Sequence, residues 1–184
     1  MFEILLTLVF TLLLTFVSNF WLKIFLFILL LLLLLPGVYA MFTGAPFVPT
    51  GKKEREIILR LGKFGKRDVV TDLGCGDGRV IRDIAQTGVK KAIGYEYSFP
   101  TYLFALWRKL RAGTSEKIIF ADFWKRDFSE VNKIVCFLLV DSMQRFEREI
   151  WPKLEKGTVV ISHAFRMKGI EPVAVEGSVI VYKK

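Results

Sequence analysis

Three glycines alternate with short side chains in Asp72-Leu73-Gly74-Cys75-Gly76-Asp77-Gly78, directly after the β-branched pair Val69-Val70. The pattern predicts a buried strand that runs into a ligand-cradling turn, because Gly74, Gly76 and Gly78 can take positive φ and let a ligand approach the main chain. The spacing differs from the dinucleotide fingerprint Gly-x-Gly-x-x-Gly, and no lysine stands by to grip phosphate. An acid at the strand end, Asp72, suits a ligand that carries positive charge. Glu96 closes the next expected strand 18 residues after Gly78. In nucleoside-binding α/β folds an acid at that place accepts hydrogen bonds from both ribose hydroxyls. Tyr97 follows it and can lie along an adenine face.

Two more acids end expected strands. Asp122, followed by Phe123, is placed to accept an adenine amino group while the ring packs beside it; a turn-forming Asp with aromatics under a loop is the alternative. Asp141 either orients an amine at the ligand edge of the sheet or forms a capping pair with Gln144 for the next helix. The lone His163 reads as a structural histidine, since no acid or serine partner is implied by position. Cys75 and Cys136 show no metal-ligand spacing and no disulfide framework, so neither a metal site nor an oxidising compartment is expected.

The run Asp72 to Gly78 resembles motif I of the class I S-adenosylmethionine (SAM) methyltransferases. There the acid lies near the methionyl ammonium and the glycines face the cofactor. SAM brings a sulfonium, an amine and a carboxylate, and it is the cofactor this resemblance implies.

The elements that must position these residues follow from periodicity. Strands are expected over residues 68–73, Lys91–Glu96, 117–121, 133–140 and 157–165, with a terminal antiparallel hairpin over 173–175 and 179–182. Helices are expected over 52–61 with Gly62 as a stop, over Arg79–Gln86 with Gly88 as cap, and from Ser98-Phe99-Pro100 through Arg111. Tyr102, Leu103, Leu106, Trp107 and Leu110 form the expected buried stripe of that last helix. The fold class is α/β, a Rossmann-like seven-stranded sheet with a terminal antiparallel hairpin, preceded by a hydrophobic membrane anchor.

The mean hydropathy of +0.42 is too high for an ordinary soluble domain, and the excess lies at the N-terminus. Residues 4–41 contain no acid and exceed the ~20 apolar residues a span requires. Three arrangements fit: a short helical hairpin turning at Ser18 to Lys23, a single span over 22–40 with the first segment along the membrane, and a cleavable signal ending at Val38-Tyr39-Ala40. The net charge of +9 belongs to residues after about 42. Lys52, Lys53, Arg55, Arg60, Lys63, Lys66 and Arg67 crowd the stretch after a Pro-containing linker, which argues for a cytoplasmic domain against anionic headgroups. The domain reading is therefore 1–42 anchor, 43–67 linker and basic first helix, and 68–184 catalytic domain, a single α/β unit.

Pro46-Phe47-Val48-Pro49-Thr50 upstream of the glycine turn, with Gly94-Tyr95-Glu96 and Asp122-Phe123-Trp124-Lys125 downstream, resembles a family of membrane-anchored protein-lysine methyltransferases. Its eukaryotic members modify the mitochondrial ADP/ATP translocase and the c-subunit of ATP synthase. The resemblance implies that Thr50 helps hold the methionyl end of SAM. It also implies that the acceptor is a lysine ε-amine of a membrane protein, with Asp141 positioning substrate. Cys75 stands where the family would carry Ser. The absence of a transit peptide implies a prokaryotic relative. RNA, a lipid or quinone, and non-catalytic SAM binding remain the rival readings; the first is disfavoured because the basic cluster adjoins the apolar segment and no separate RNA-binding module is evident.

Overall fold

The computed structural model describes residues 7, 8, 10, 11, 15–43 and 48–184; the side chains of residues 33 and 36–43 lie outside that description. Much of the expected first membrane arm and the Pro46-Phe47 pair also fall outside it. The described elements are α1 (Phe20–Thr43), α2 (Lys52–Gly62), β1 (Val69–Leu73), α3 (Arg79–Gln86), β2 (Lys91–Glu96), α4 (Phe99–Ala112) and β3 (Lys117–Phe120). They continue with β4 (Lys133–Cys136), α5 (Val140–Glu149), β5 (Val159–His163), β6 (Ala174–Glu176) and β7 (Val179–Lys183).

The strands form one seven-stranded sheet in the order β3-β2-β1-β4-β5-β7-β6. The first five are parallel, and β7 runs antiparallel to both β5 and β6, as the terminal hairpin requires. The chain order reverses between β1 and β4, so the crevice at their carboxyl ends is the natural ligand position in an open α/β sheet. Alternation sorts the side chains. Leu73, Ile134, Val160 and Tyr182 pack on one face with Met143 and Phe146 of α5. Val70, Val135 and Ile161 pack on the other with Ile58 of α2 and Ile81 and Ile84 of α3.

Two expected elements differ. Strand β4 stops at Cys136, level with the end of β1: Leu73 pairs with Cys136, and Cys136 in turn with Ser162, the residue before the last of β5. Phe137, Leu138 and Leu139 then leave the sheet, and Leu139 becomes the residue before α5. Helix α4 buries a face shifted from the expected one. Tyr102 and Leu106 of the expected stripe pack half-buried against the core and Pro100, Thr101 and Ala105 are buried, while Leu103, Trp107 and Leu110 stay exposed, Leu110 by 80%. The reason is close approach: Ala105 lies against the glycine turn at Gly78, where a long side chain would not fit.

The expected anchor is not supported by the described residues, among which no helix is long and apolar enough to cross a membrane. Large apolar side chains of α1, including Phe20, Trp21, Phe25 and Leu32, are exposed.

Lys133 locks the first helix to the sheet. Its Nζ donates to the carbonyls of Gly62 (2.8 Å) and Lys63 (2.7 Å) and pairs with Asp68 at 2.7 Å. This cation satisfies the carbonyl end of α2, where Lys63 reverses the chain at φ 44°. Burial pushes the Asp68 carboxyl up, but hydrogen bonds from Lys133, Gly65 and Asn132 outweigh it, so its pKa lies below the ordinary 3.8. Such a group stabilises the fold above its unfolded pKa and ceases to as pH falls through the folded value. Replacing Lys133 by Met is expected to cost about 2 kcal/mol, since two carbonyls lose their donor and a half-buried carboxylate loses its cation while keeping the Gly65 and Asn132 donors. Urea titrations at neutral pH measure that loss, and the gap between wild type and variant should narrow below about pH 4 as Asp68 protonates.

Candidate active site

Strand β1 ends in Asp72 and Leu73, and the chain then turns through Gly74, Gly76 and Gly78 at φ 74°, 57° and 75°. All three are left-handed conformations that an L side chain takes at a cost. A Cβ placed on Gly74 would meet no atom within 4 Å, so the turn presents open space there. Beneath it the fit is tight. A Cβ on Gly94 of β2 would stand 2.6 Å from the Cys75 Sγ.

Backbone bonds fasten the turn to β2. The Cys75 N–H donates to the Tyr95 carbonyl (2.9 Å), and the Gly76 N–H donates to Glu96 Oε2 (2.9 Å). Glu96 Oε1 also accepts from the N–H groups of Tyr97 (2.9 Å) and Ser98 (2.7 Å). The strand-end acid expected from sequence is thus held rigidly by three main-chain donors. Oriented in this way, a carboxylate can receive further hydroxyl donors without reorganising.

Asp77, which sequence reasoning passed over, is the buried hub of the turn, only 1% exposed. Arg79 pairs with it at 2.7 Å and Arg108 of α4 at 2.5 Å. Burial pushes its carboxyl up, but Arg79 and Arg108 together bring its pKa below the ordinary 3.8. Arg79 also reaches back to the carbonyl of buried Thr50 at 3.4 Å, which ties the segment before α2 to the turn. Arg82 of α3 donates to the Asp77 carbonyl and to fully buried Glu116, whose Oε2 has no partner. The sequence signal for this cluster was present: Asp77, Arg79 and Arg82 fall within six consecutive residues.

Asp72 is treated differently. Burial first, then the charges of Glu96 and Asp77, push its pKa up to about 8, and among the described residues no cation acts on it. Burial and the same acids hold the Cys75 thiol well above its ordinary value, so it stays neutral.

The other expected residues are distributed as follows. Tyr97 stacks on Phe120 of β3, with centroids 5.8 Å apart and planes within 5°. Asp122 Oδ1 accepts from the Trp124 N–H at 3.1 Å, opening the single 3-10 turn Phe123–Lys125, in keeping with the turn-forming alternative. Phe123 is buried among Leu73, Phe128 and Phe146 and touches Trp124 at 4.7 Å. Asp141 is exposed in the first turn of α5. The capping pair does not form, since Leu139 precedes the helix without a side-chain cap and Gln144 donates instead to the Arg166 carbonyl. Among the described residues no group of His, Cys, Asp and Glu could hold a metal ion.

An Asp77→Asn variant keeps the shape of the hub and removes the anion that two guanidinium groups share. It is expected to lose roughly 3 kcal/mol of unfolding free energy. The wild type should also lose stability as pH falls below about 4, and the variant less so, because the depressed carboxyl is the group that titrates. Calorimetric melting across pH 3 to 7 checks both.

Comparison with known proteins agrees with this geometry. The ANTKMT methyltransferase domain matches residues 72–174. A protein-lysine N-methyltransferase of Saccharolobus islandicus is 35% identical over 130 residues, covering 69% of this chain and 81% of that protein. The adenine nucleotide translocase lysine N-methyltransferase of Mus musculus is 32% identical over 136 residues, 72% of this chain, and the chain spans 58% of that relative's length. Among solved structures, an RNA methyltransferase from Salinibacter ruber in complex with S-adenosyl-L-homocysteine superposes with a TM-score of 0.68 at 30% identity, over 73% of this chain and 91% of that one. Matched from the acid that opens the glycine turn to the first residue of the terminal hairpin, the chain belongs to the family of the ANTKMT methyltransferase domain.

Proposed function

We propose that the chain is a SAM-dependent protein-lysine N-methyltransferase. The observation that carries the cofactor is the unequal treatment of the three acids: Asp77 has two arginines, Glu96 has three N–H donors, and Asp72 has no cation among the described residues. A buried carboxyl raised to about 8 and set beside open space over Gly74 suits an incoming ammonium, which would return it to its ionised form. Bound SAM supplies a methyl group on a sulfonium, already a good leaving group. Asp72 and Thr50 would hold its methionyl end, Glu96 its ribose, and Tyr97, Asp122 and Phe123 would lie about its adenine, with the turn glycines allowing close approach.

The remaining work falls to alignment. A lysine ε-amine must reach the methyl carbon in line and neutral, from a group whose ordinary pKa is about 10.4. Desolvation at an aromatic edge lowers that value, while a carboxylate such as exposed Asp141 draws the ammonium in first. The names of the archaeal and murine relatives support lysine of a protein as acceptor, and that of the murine one, a translocase methyltransferase, supports a membrane protein among the candidates. The apolar run before residue 42, the exposed aromatics of α1 and the basic stretch after it support an enzyme held at a membrane, with its site on the cytoplasmic side. A second reading, methylation of RNA, is favoured by the likeness to the Salinibacter RNA methyltransferase and by the net charge of +9.

Incubation of labelled SAM with stripped membranes, then mass spectrometry, is expected to place methyl groups on lysine with the wild type and none with Asp72→Ala. Label confined to RNA or lipid would sink the lysine reading. The affinity for SAM should rise roughly tenfold from pH 6 to pH 7 as bound ammonium displaces the Asp72 proton. It should level off and fall above about pH 8, where the amino group itself loses its charge. Asp72→Asn should bind more weakly and lose the acid limb; titration calorimetry reads both.

A further inference from the structure

Resting on the lysine reading, one residue outside the cofactor turn has the position and the chemistry to meet the acceptor. His163 is the last residue of β5, one step beyond the register line that joins Leu73, Cys136 and Ser162. Gly74, Phe137 and His163 therefore stand level at the carboxyl edge of three adjacent strands, which spans roughly 10 Å at ~4.8 Å per strand. Alternation within β5 puts His163 on the same face as Val159 and Ile161. By the same rule Asp72 shares that face with Val70. The cofactor acid and the histidine thus lie on one side of the sheet.

The ring of His163 is flanked by aromatic side chains. Phe137 lies 4.2 Å from it, centroid to centroid, and Phe165 stacks on Phe137 at 6.2 Å. Nδ1 is buried and has no hydrogen-bond partner. Most buried side-chain nitrogens in folded proteins are satisfied, so this one stands out. Burial holds the ring below its ordinary pKa of 6.5, while the charge of Glu54, from the first turn of α2, opposes this. The imidazole is therefore neutral at physiological pH, and with its proton on Nε2 it offers Nδ1 as a bare acceptor. The backbone behind it is held by force: Ala164 takes φ 71°, and its N–H donates to the Ser178 carbonyl at 2.7 Å. Such strain in a non-glycine residue persists where the surroundings impose it, and it collects at functional positions.

We infer that His163 is a catalytic residue whose Nδ1 accepts one N–H of the acceptor ε-amine and points the nitrogen lone pair along the edge toward the methyl donor. The neutral amine attacks the methyl carbon; the N–C bond forms, the C–S bond breaks, and its electron pair stays on sulfur as the sulfonium becomes a neutral thioether. The product leaves as a methylated ammonium; the one proton released is that which the lysine ammonium gave to solvent when it became the neutral amine. Glu54 tempers the loss of basicity that burial imposes on the ring, keeping Nδ1 a strong acceptor. Thr50 and Glu54 belong to one short stretch, so the segment that reaches the cofactor turn through Arg79 also reaches the acceptor edge.

The test compares wild type, His163→Leu and His163→Asn for the initial rate of lysine methylation on stripped membranes at saturating SAM, with SAM affinity measured alongside. Asn carries its oxygen close to where Nδ1 stands. His163→Leu should lose at least tenfold in rate with SAM affinity within twofold, and His163→Asn should recover most of the loss. As pH drops through the histidine range the wild-type rate should fall more steeply than protonation of the acceptor amine alone dictates, and His163→Asn should lack that extra steepness. An unchanged rate in His163→Leu overturns the inference. So does equal loss in both variants with SAM affinity intact, which marks a packing role, and so does loss of SAM affinity in both, which marks a structural one. Absence of lysine label from the wild type itself would instead remove the lysine reading on which this one stands.

Discussion

Three carboxylates that cannot all be buried as anions share the space at the end of β1, and the architecture around them follows from how each is accommodated. Isolated ionised acids in a protein interior are costly, and like charges raise one another's pKa. Asp77 is neutralised by two arginines, one from α3 and one from α4, which draws both helices onto the turn. Glu96 is spread over three backbone donors, which clamps the turn to β2. Asp72 is left with a raised pKa, and that residual imbalance is what a cationic ligand relieves. The scaffold and the binding energy thus come from one electrostatic problem solved unequally.

The strands, the glycine turn and the two acids 72 and 96 were legible because local rules govern them: β-branched runs, positive-φ glycines and acids at strand ends. What escaped was decided across the chain. The apolar run 133–140 reads as one strand, yet in the sheet it stops where β1 stops, at the pair Leu73 and Cys136. The stripe on α4 obeys helical period, yet the face that is buried is the one small enough to lie against Gly78. Asp77 looks like one more turn residue until Arg108, 31 positions away, closes on it.

Candidate roles divide in the same manner. Spacing from the turn is enough to single out Glu96, and its carboxylate does sit under the turn's own N–H groups. For Asp122 pattern alone allows an adenine contact or a turn former, and its side chain performs the second task in the described geometry. His163 carries no signal in sequence, since its aromatic neighbours and Glu54 come from the end of β4, from the loop after β5 and from α2. A residue whose surroundings are drawn from three distant segments is invisible to pattern and plain in space.

The contact beneath the turn also limits which sequences this family member can drift through. Residue 94 has no room for a Cβ because the sulfur of residue 75 occupies it. Any side chain gained at 94 must therefore be matched by one given up at 75, and a larger residue at 75 can arrive only while 94 stays glycine. The two positions, in different elements and 19 residues apart, form a single coupled choice. A side chain gained at 94 while 75 keeps its sulfur leads to a turn that no longer closes on its neighbour.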